Sequence, residues 1–230
     1  PKRFEPKKTR WAISNAKNQG WLPDQLEANA EGQRGKLTAD VYRRYRKALA
    51  ANNALDFDDL LLLPVQLLQQ NEQVRSYWHR RFCHVLVDEY QDTNYAQYII
   101  IKMLAQAYKN ICVVGDDAQS IYAFRGANIQ NILNFQSDYP DFKSFKLEQN
   151  YRSTKSIVET ANHLISFNKK QLQKKVWTNN SIGSSVVIHK CSSDNEEAKL
   201  VANTIFDLKI RDDFFNNDFC VLYRTNAQSR

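Results

Sequence analysis

Two adjacent carboxylates, Asp88 and Glu89, follow a short apolar run, and a third carboxylate, Asp92, comes four residues after the first. The run predicts a buried parallel strand over Cys83–Asp88. In open α/β sheets, ligands bind at the carboxyl ends of the strands. An aspartate there can hold Mg²⁺, directly or through water, and a neighbouring glutamate can orient a water molecule toward a γ-phosphate. The alternative is a polar strand end whose acids cap the helix that follows.

A second apolar run, Ile111–Gly115, also ends in acids, and Gln119 follows them. A glutamine amide can donate to a phosphate oxygen. Tyr122, Phe124 and Arg125 come next, and aromatic rings in such a segment can stack on nucleic-acid bases. The pattern indicates a nucleotide-responsive segment joined to a nucleic-acid-binding surface. Taken singly, either aromatic residue is more often a core residue.

Two further pairs of residues suit phosphate and base contacts. Tyr151 and Arg152 lie between a predicted strand and a predicted helix. An arginine there can neutralise charge on a phosphoryl group, and a tyrosine can stack on a purine. Arg224 and Asn226 follow the last predicted strand and suit contacts to phosphate and sugar. The alternatives are a surface arginine beside a packed tyrosine and a solvated chain end.

The elements that must position these residues alternate along most of the chain. Strands that alternate with helices predict an α/β sheet with right-handed crossovers. The predicted strands are Cys83–Asp88, Ile111–Gly115, Ser144–Leu147, Ser185–His189 and Phe219–Tyr223. The predicted helices of this part are Asp56–Gln70, Tyr95–Tyr108, Ile129–Phe135, Ser153–Phe167 and Asn195–Lys209.

Residues 1–55 have helical spacing without predicted strands. Helices are expected over Thr9–Gln19 and Thr38–Asn53, with Thr38 as the N-cap of the second. Residues 31–37 contain two glycines and are expected to form a loop.

Composition is ordinary for a soluble globular protein, with 230 residues of which 43% are hydrophobic. The net charge of +7 is uneven: residues 1–55 hold 12 Lys and Arg against 5 Asp and Glu, residues 56–147 hold 8 against 11, and residues 148–230 hold 12 against 9. The basic flanks would attract nucleic acid, and the acidic middle could hold a metal ion. Solvated helix faces are the alternative. A single compact body of this mass would expose about 10,800 Å².

The four cysteines are far apart in sequence, which argues against a zinc site or a disulfide framework and favours a reducing cytosol. Cys83, Cys112 and Cys220 lie in apolar runs and are expected to be small core residues. The longest apolar stretches are too short to cross a bilayer.

Taken together, four strings resemble the motifs of the superfamily-1 DNA helicases of the UvrD/PcrA/Rep type. VLVDEYQDTN is similar to the Walker B motif II, VVGDDAQSIYAFRGA to motif III, LEQNYRST to motif IV, and VLYRTNAQSR to the following motif of the second motor domain. ALDFDDLL is similar to a stretch that precedes motif II. The helical start resembles part of the inserted 1B subdomain. The similarity covers nearly the whole chain.

The resemblance implies an α/β fold of RecA-like P-loop NTPase motor domains, each a parallel sheet flanked by helices, with an N-terminal all-helical subdomain segment. It also implies ATP and Mg²⁺ as cofactors. Asp88 would hold the Mg²⁺ and Glu89 would be the general base. Gln119 would sense the γ-phosphate, Tyr151 would stack on adenine, and Arg152 would be the arginine finger.

Further residues would contact DNA or connect it to the ATP site. Tyr122 and Phe124 would stack on bases of single-stranded DNA, and Phe124 stands where close relatives often have Trp. Arg125 would tie motif III to the ATP site. Arg224 and Asn226 would touch the DNA strand.

The resemblance also divides the chain into three parts. Residues 1–55 would be a 1B-type segment, residues 56–147 the latter part of motor domain 1A, and residues 148–230 the start of motor domain 2A. The implied function is 3′–5′ translocation on single-stranded DNA and unwinding at single-strand/duplex junctions, in repair or replication. The remainder of the helicase chain would be a partner.

A phosphate cradle of the form Gly-x-x-x-x-Gly-Lys-[Ser/Thr] is absent from the sequence. Gly35–Lys36 comes nearest, but Ala30 and Leu37 stand at the other key positions. The chain is therefore expected to be an internal part of a helicase, inactive alone. The motor part of a RecB/AddA-like helicase–nuclease and a non-catalytic DNA-binding module are the alternatives.

Overall fold

A computed structural model describes residues 5–30, 32–169, 171–223 and 225. The chain divides into two units. Unit 1 comprises Pro1–Glu148 and Asn162–Val176, and unit 2 comprises Gln149–Ala161 and Trp177–Arg230.

Unit 1 begins with helices. These are α1 (Pro6–Asn18), α2 (Pro23–Asn29) and α3 (Gly32–Ala51). Proline at the first position of α1 and of α2 suits a helix start, because the missing N–H would have no intrahelical partner there. Ile13, Ala16, Ala39 and Tyr42 form the apolar core of this region.

The loop expected over residues 31–37 was wrong for the described residues 32–37, which belong to α3. Thr38 is not an N-cap: it lies inside the helix, where its hydroxyl donates to the carbonyl of Arg34 at 2.9 Å. Gly35 packs against the end of α2, since a Cβ at that position would lie 2.2 Å from the Ala30 Cβ. A glycine that looks like a helix breaker is here the residue that lets two helices approach closely.

The two sequence strings that contain Asp88 and Asp116 lie on a βαβ arrangement. After α4 (Asp59–Gln70) and α5 (Glu72–Arg81), β1 (Val85–Val87) pairs in parallel with β2 (Ile111–Val113), and α6 (Tyr95–Ala105) connects them. The register places Leu86 opposite Cys112. Leu86 is 75% exposed and Cys112 is exposed, so the predicted burial of the first strand was wrong: the small sheet leaves one face of β1 uncovered. Asn94 caps α6 by accepting the N–H of Gln97 at 2.9 Å, and the Gln97 side chain accepts the Asn94 N–H at 2.8 Å.

Unit 1 continues with the short helices α7 (Gln130–Leu133) and α8 (Phe135–Asp138). Helix α9 (Lys155–Ile165) has its first seven residues in unit 2 and the rest in unit 1. Unit 2 also contains α10 (Asp194–Arg211). A mostly helical chain with a small parallel sheet is consistent with the expected RecA-like fold. The all-helical N-terminal subdomain and the division into three domains stay predictions.

Three predicted strands are wrong. Residues 144–147, 185–189 and 219–223 form no strand, and most of their apolar side chains are exposed, with Leu147 at 87%, Ile188 at 92% and Leu222 at 90%. A strand needs a neighbour for its N–H and C=O groups. Among the described residues the one sheet has two strands, β1 and β2.

The accessible surface of the chain is larger than the roughly 10,800 Å² expected from its mass. The accessible surface is 18261 Å². Cys83, Cys112 and Cys220 are exposed, so their assignment to a core was wrong. Across the described residues, no helix is both long and apolar enough to cross a membrane.

Candidate nucleotide and nucleic-acid site

The end of β1 presents two carboxylates at the edge of the sheet. Asp88 and Glu89 are both exposed, and the Asp88 Oδ1 accepts the Glu89 N–H at 2.9 Å. Glu89 has a left-handed backbone with φ 51°. A residue with a Cβ adopts this conformation at a cost of about 1–2 kcal/mol, so its surroundings must hold it there. The next residue, Tyr90, is buried, and its N–H donates to the Val114 carbonyl at 3.0 Å.

Gln91 links the ends of the two strands. Its side chain is fully buried. The Nε2 atom donates to the Glu89 Oε2 at 2.7 Å, and the Oε1 atom accepts the backbone N–H of Asp116 at 3.0 Å. Gly115 makes room for this contact, because a Cβ there would lie 2.5 Å from the Gln91 Oε1. One buried amide therefore connects the carboxylate of Glu89 to the loop after β2.

Asp116 holds the loop after β2 with both carboxylate oxygens. Its Oδ1 accepts the N–H of Ala118 at 2.9 Å and pairs with Lys174, and its Oδ2 accepts the Gln119 side-chain amide at 2.8 Å. Burial raises the pKa of Asp116, but the hydrogen bonds from Lys174 and Gln119 outweigh it and hold the pKa below the ordinary aspartate value. Gln119 is exposed, and the nitrogen of its side-chain amide is held by Asp116.

The carboxylates at the end of β1 fit a magnesium ion that keeps much of its water. The Asp88 Oδ2 makes no hydrogen bond within the described part of the chain, and the Asp92 Oδ1 is buried without a partner. Mg²⁺ is usually bound by one or two carboxylates together with water and substrate phosphates. No cluster of three or more His, Cys, Asp or Glu is placed to hold a metal in the residues described. A single carboxylate completed by phosphate oxygens is thus the arrangement that suits this edge.

Tyr122, Phe124 and Arg125 form an exposed cluster on a short 3₁₀ turn. The two rings have centroids 5.9 Å apart, and the Arg125 guanidinium lies 5.1 Å from the Tyr122 ring and 5.4 Å from the Phe124 ring. Tyr122 is 37% exposed and Phe124 is 67% exposed, so neither is a core residue. Exposed aromatic faces beside a guanidinium can stack on bases and attract a phosphate backbone.

The aromatic cluster is anchored to the segment after β1. Gly126 follows it with φ 86°, a conformation that suits glycine, and Ala127 forms a bridge with Asn94. The Asn128 N–H donates to the Thr93 carbonyl at 2.9 Å. A cleft of about 260 Å³ opens here, lined by Asp92, Asn94, Gln97, Tyr122 and Arg125. The two strings that follow β1 and β2 thus form one continuous surface of unit 1.

In unit 2, the backbone around Tyr151 and Arg152 is fixed by asparagine side chains. The Asn150 Oδ1 accepts the N–H of Arg152 at 3.0 Å, and the Asn180 Nδ2 donates to the Tyr151 carbonyl at 3.3 Å. The Tyr151 side chain is 79% exposed, and its hydroxyl donates to the Gln149 Oε1 at 2.9 Å. Both side chains are therefore accessible to a ligand. Arg224 and Asn226 lie outside the described residues.

Gly35–Lys36, the nearest sequence to a phosphate cradle, lies within α3 rather than in a loop after a strand. A cradle needs free backbone N–H groups around a turn, and a helix interior does not present them. The similarity to a phosphate-binding loop is therefore accidental.

Comparison with known proteins places the chain in a family. Residues 1–140 match the model of the UvrD/REP helicase N-terminal domain, and residues 145–230 match that of the UvrD-like helicase C-terminal domain. The chain belongs to the UvrD/REP helicase family. Its relatives include ATP-dependent DNA helicase PcrA from Staphylococcus epidermidis (strain ATCC 35984) and from Staphylococcus aureus (strain Mu50), each 44% identical over 229 residues.

Both alignments cover 100% of this chain and 31% of the relative, so the chain spans about a third of the length of the curated relatives it matches. Membership of the UvrD-type superfamily-1 helicases confirms the resemblance drawn from the four motif strings. The individual roles of the residues stay predictions.

Two residues of this UvrD-type surface escaped sequence reasoning. Gln91 stands inside the first string, and nothing local shows that it reaches the end of β2. Gly115, the last residue of the second apolar run, is the nearest hint. Lys174 lies 58 residues from Asp116 in the chain, and no sequence signal pairs them.

Proposed function

We propose that this chain is the part of a UvrD-type DNA helicase that links ATP hydrolysis to movement along single-stranded DNA. One observation carries the proposal: a hydrogen-bonded path runs from Glu89 through Gln91 and Asp116 to Gln119. The path ends three residues before Tyr122, the first member of the exposed aromatic cluster. We infer that a change at Glu89 is passed along these hydrogen bonds to Gln119 and, along the chain, to Tyr122.

The proposed nucleotide roles follow the family pattern. Asp88 holds Mg²⁺, which when bound neutralises charge on the phosphate oxygens. Glu89 accepts the proton of the attacking water, and the Gln119 amide donates to the γ-phosphate. Tyr151 stacks on the adenine, and Arg152 neutralises the charge that develops on the phosphoryl group.

The proposed DNA roles are stacking and backbone contacts. Tyr122 and Phe124 stack on successive bases, and Arg125 connects this cluster to the nucleotide-responsive loop. Arg224 and Asn226 contact the strand. In the whole protein we propose 3′–5′ translocation and unwinding of single-strand/duplex junctions, in repair or replication in the cytoplasm, together with the rest of the helicase chain.

A helicase–nuclease would be distinguished from this proposal by a nuclease domain outside residues 1–230. A non-catalytic DNA-binding module would have no chemical need for Glu89, Gln119 and Arg152 together. Their joint presence favours the motor.

Single-stranded DNA binding tests the aromatic cluster. We expect Phe124→Ala to weaken binding by about 1–3 kcal/mol, because one stacked base loses its platform. Tyr122→Ala should have a similar effect. The measurement is fluorescence anisotropy of a labelled oligonucleotide at two salt concentrations, since phosphate contacts and stacking respond differently to salt.

Phe145→Ala and Tyr108→Ala are the matched controls, because both residues are exposed aromatics of the same unit, at 84% and 48%. If the control variants bind as weakly as Phe124→Ala, or if all variants bind like wild type, the affinity is generic attraction to basic side chains and the stacking role is wrong.

ATP turnover tests the absence of a phosphate cradle. We expect residues 1–230 alone to show no steady hydrolysis, because the sequence offers no Gly-rich loop to bind the β- and γ-phosphates. A coupled assay with and without single-stranded DNA measures this. Turnover that disappears in Glu89→Gln would contradict the prediction and show that another part of this chain binds the phosphates.

A further inference from the structure

Residues 172–176, here called the strap, are fastened to other segments of unit 1 by polar contacts. The Leu172 N–H donates to the Asp117 Oδ2 at 2.7 Å, and the Lys175 N–H donates to the Glu148 Oε1 at 3.1 Å. The carbonyl of Gln173 accepts the Lys146 ammonium at 2.6 Å. These contacts join the strap to segments that lie 27 and 55 residues away in the chain.

The far end of the strap is held by α9. The Asn162 Nδ2 donates to the Val176 carbonyl at 2.7 Å, and the Asn162 Oδ1 accepts the Val176 N–H at 3.3 Å. Leu172 is 51% exposed and Val176 is half-buried, so polar contacts account for most of this attachment. Since hydrogen bonds depend on geometry more strongly than apolar contact does, the strap has a defined position relative to the loop after β2.

The side chain of Lys174 joins the strap to the loop after β2 by an ion pair. Its ammonium forms an ion pair with the Asp116 Oδ1 and lies 4.0 Å from the Asp117 Oδ1. The side chains of Lys174 and Asp116 are 25% and 28% exposed, and that of Asp117 is 3% exposed. Water screens a pair in this position less than a pair on the open surface.

We propose that Lys174 is a positioning residue for nucleotide sensing: it fixes the carboxylate of Asp116 and, through it, the side-chain amide of Gln119. The Asp116 Oδ2 accepts one N–H of the Gln119 amide, which leaves the other N–H and the carbonyl oxygen for a ligand. With Lys174 on the opposite oxygen, the carboxylate plane and the direction of the Gln119 amide are set before any ligand arrives. The proposal rests on the proposed function of Gln119.

Lys175 provides a matched control. It adjoins Lys174 and carries the same charge, but its contact to Glu148 is made by the backbone N–H, which a side-chain substitution leaves in place. Lys174→Met and Lys175→Met therefore remove equal charge from the strap, while Lys174→Met alone removes the partner of Asp116. Lys174→Arg keeps a cation at the same place.

The first experiment follows Asp116 and Gln119 by NMR in this chain, labelled with ¹³C at aspartate carboxyls and ¹⁵N at side-chain amides. Lys174 is the charged group that faces Asp116 among the described residues, and the same ammonium lies 4.0 Å from the Asp117 Oδ1. We expect Lys174→Met to raise the titration midpoint of Asp116 by about one pH unit, because the opposite charge has been removed. The Gln119 amide resonances should shift as well. Lys175→Met should leave both unchanged, and Lys174→Arg should restore both.

Equal responses of Asp116 to the two methionine variants, or no response to either, would overturn the proposal. So would a shift of Asp116 without any change at Gln119, since the positioning of the amide would then be independent of the ion pair. The amide spectrum of the remaining chain shows whether each variant is folded. A Lys174→Met variant that does not fold while Lys174→Arg and Lys175→Met do would make the pair a structural one and also refute the proposal.

A second experiment separates this proposal from the proposed function. In the protein expressed from its complete reading frame, Lys174→Met should lower the kcat of DNA-stimulated ATP hydrolysis roughly tenfold and change the KM for ATP less, because misplacing Gln119 affects the reacting phosphate more than binding. If wild-type turnover is absent or insensitive to Glu89→Gln, the proposed function fails, while the NMR result still decides the link from Lys174 to Gln119. If turnover is present and Lys174→Met matches Lys175→Met, the positioning role fails.

Discussion

Replacing Lys17 by methionine is expected to lower the free energy of unfolding by about 3–5 kcal/mol, because it leaves the buried Asp59 and the partly buried Asp56 without their cation. The Lys17 side chain is fully buried, and its ammonium lies 2.7 Å from the Asp56 Oδ2 and 2.7 Å from the Asp59 Oδ1. Asp59 is 5% exposed. Chemical denaturation of the two proteins at neutral pH, followed by circular dichroism, measures the difference.

The control for this loss is Lys8→Met in the same helix. Lys8 pairs with Glu5 on the surface, where both side chains are more than 60% exposed, and such a pair contributes about 0–1 kcal/mol. If Lys17→Met costs no more than Lys8→Met, the buried pair adds nothing to stability beyond a packed methionine.

The pH dependence of the same variant gives a second check with a definite sign. Burial raises the pKa of Asp56, but the hydrogen bond and charge of Lys17, together with the hydrogen bonds from the Asp59 N–H and the Tyr45 hydroxyl, outweigh this and hold the pKa below the ordinary value of 3.8. A lowered carboxyl pKa stabilises the fold above the unfolded value, and this stabilisation is lost as the pH falls through the lower folded value. The difference between wild type and Lys17→Met should therefore shrink below about pH 4. A difference that stays constant down to pH 2 would show that the charges are not its source.

Replacing Gln91 by leucine is expected to cost about 2–4 kcal/mol of the free energy of unfolding. The variant leaves the Asp116 N–H without an acceptor and removes the charge-assisted hydrogen bond to Glu89. Both contacts are made by one fully buried side chain, so water cannot readily replace them. Denaturation experiments measure the cost, and the same substitution at the exposed Gln69 of α4 is the control.

Gln91→Glu distinguishes hydrogen bonding from size at this position. It keeps an oxygen for the Asp116 N–H but places a second carboxylate against Glu89. We expect it to be destabilising at neutral pH and to recover part of the loss in mild acid, where one carboxylate takes up a proton. Equal stability of Gln91→Glu and wild type at pH 7 would show that the contact from Gln91 to Glu89 has no energetic weight.

These two sites mark the limit of what the sequence can show. Lys17 reads as one more surface lysine of a basic helix, since its partners lie 39 and 42 residues further along the chain. Gln91 reads as a polar residue in a turn, and its acceptor role involves a backbone N–H 25 residues away. A partner at such a distance depends on how the elements pack, which local spacing does not encode.

The failed strand predictions have the same origin. Apolar runs such as residues 185–189 favour extended backbone, but a ladder forms only where a second strand lies alongside. Phe145 and Leu222 are 84% and 90% exposed, and outside the named strands the described residues contain two isolated bridges, one between Gln149 and Trp177 and one between Asn94 and Ala127. Local propensity therefore overestimated the sheet.

By itself, the sequence determined the family, the two strands β1 and β2, the helix between them and the residue types at the ends of the strands. These follow from short-range rules: a short apolar run favours a strand, and α6 begins where Asn94 and Gln97 can cap it. The tertiary structure alone decided that Gln91 joins the strand ends, that Lys174 pairs with Asp116 and that Tyr122 and Phe124 are exposed rather than buried. Those outcomes depend on contacts between distant segments, whose geometry is set when the helices and the sheet pack together.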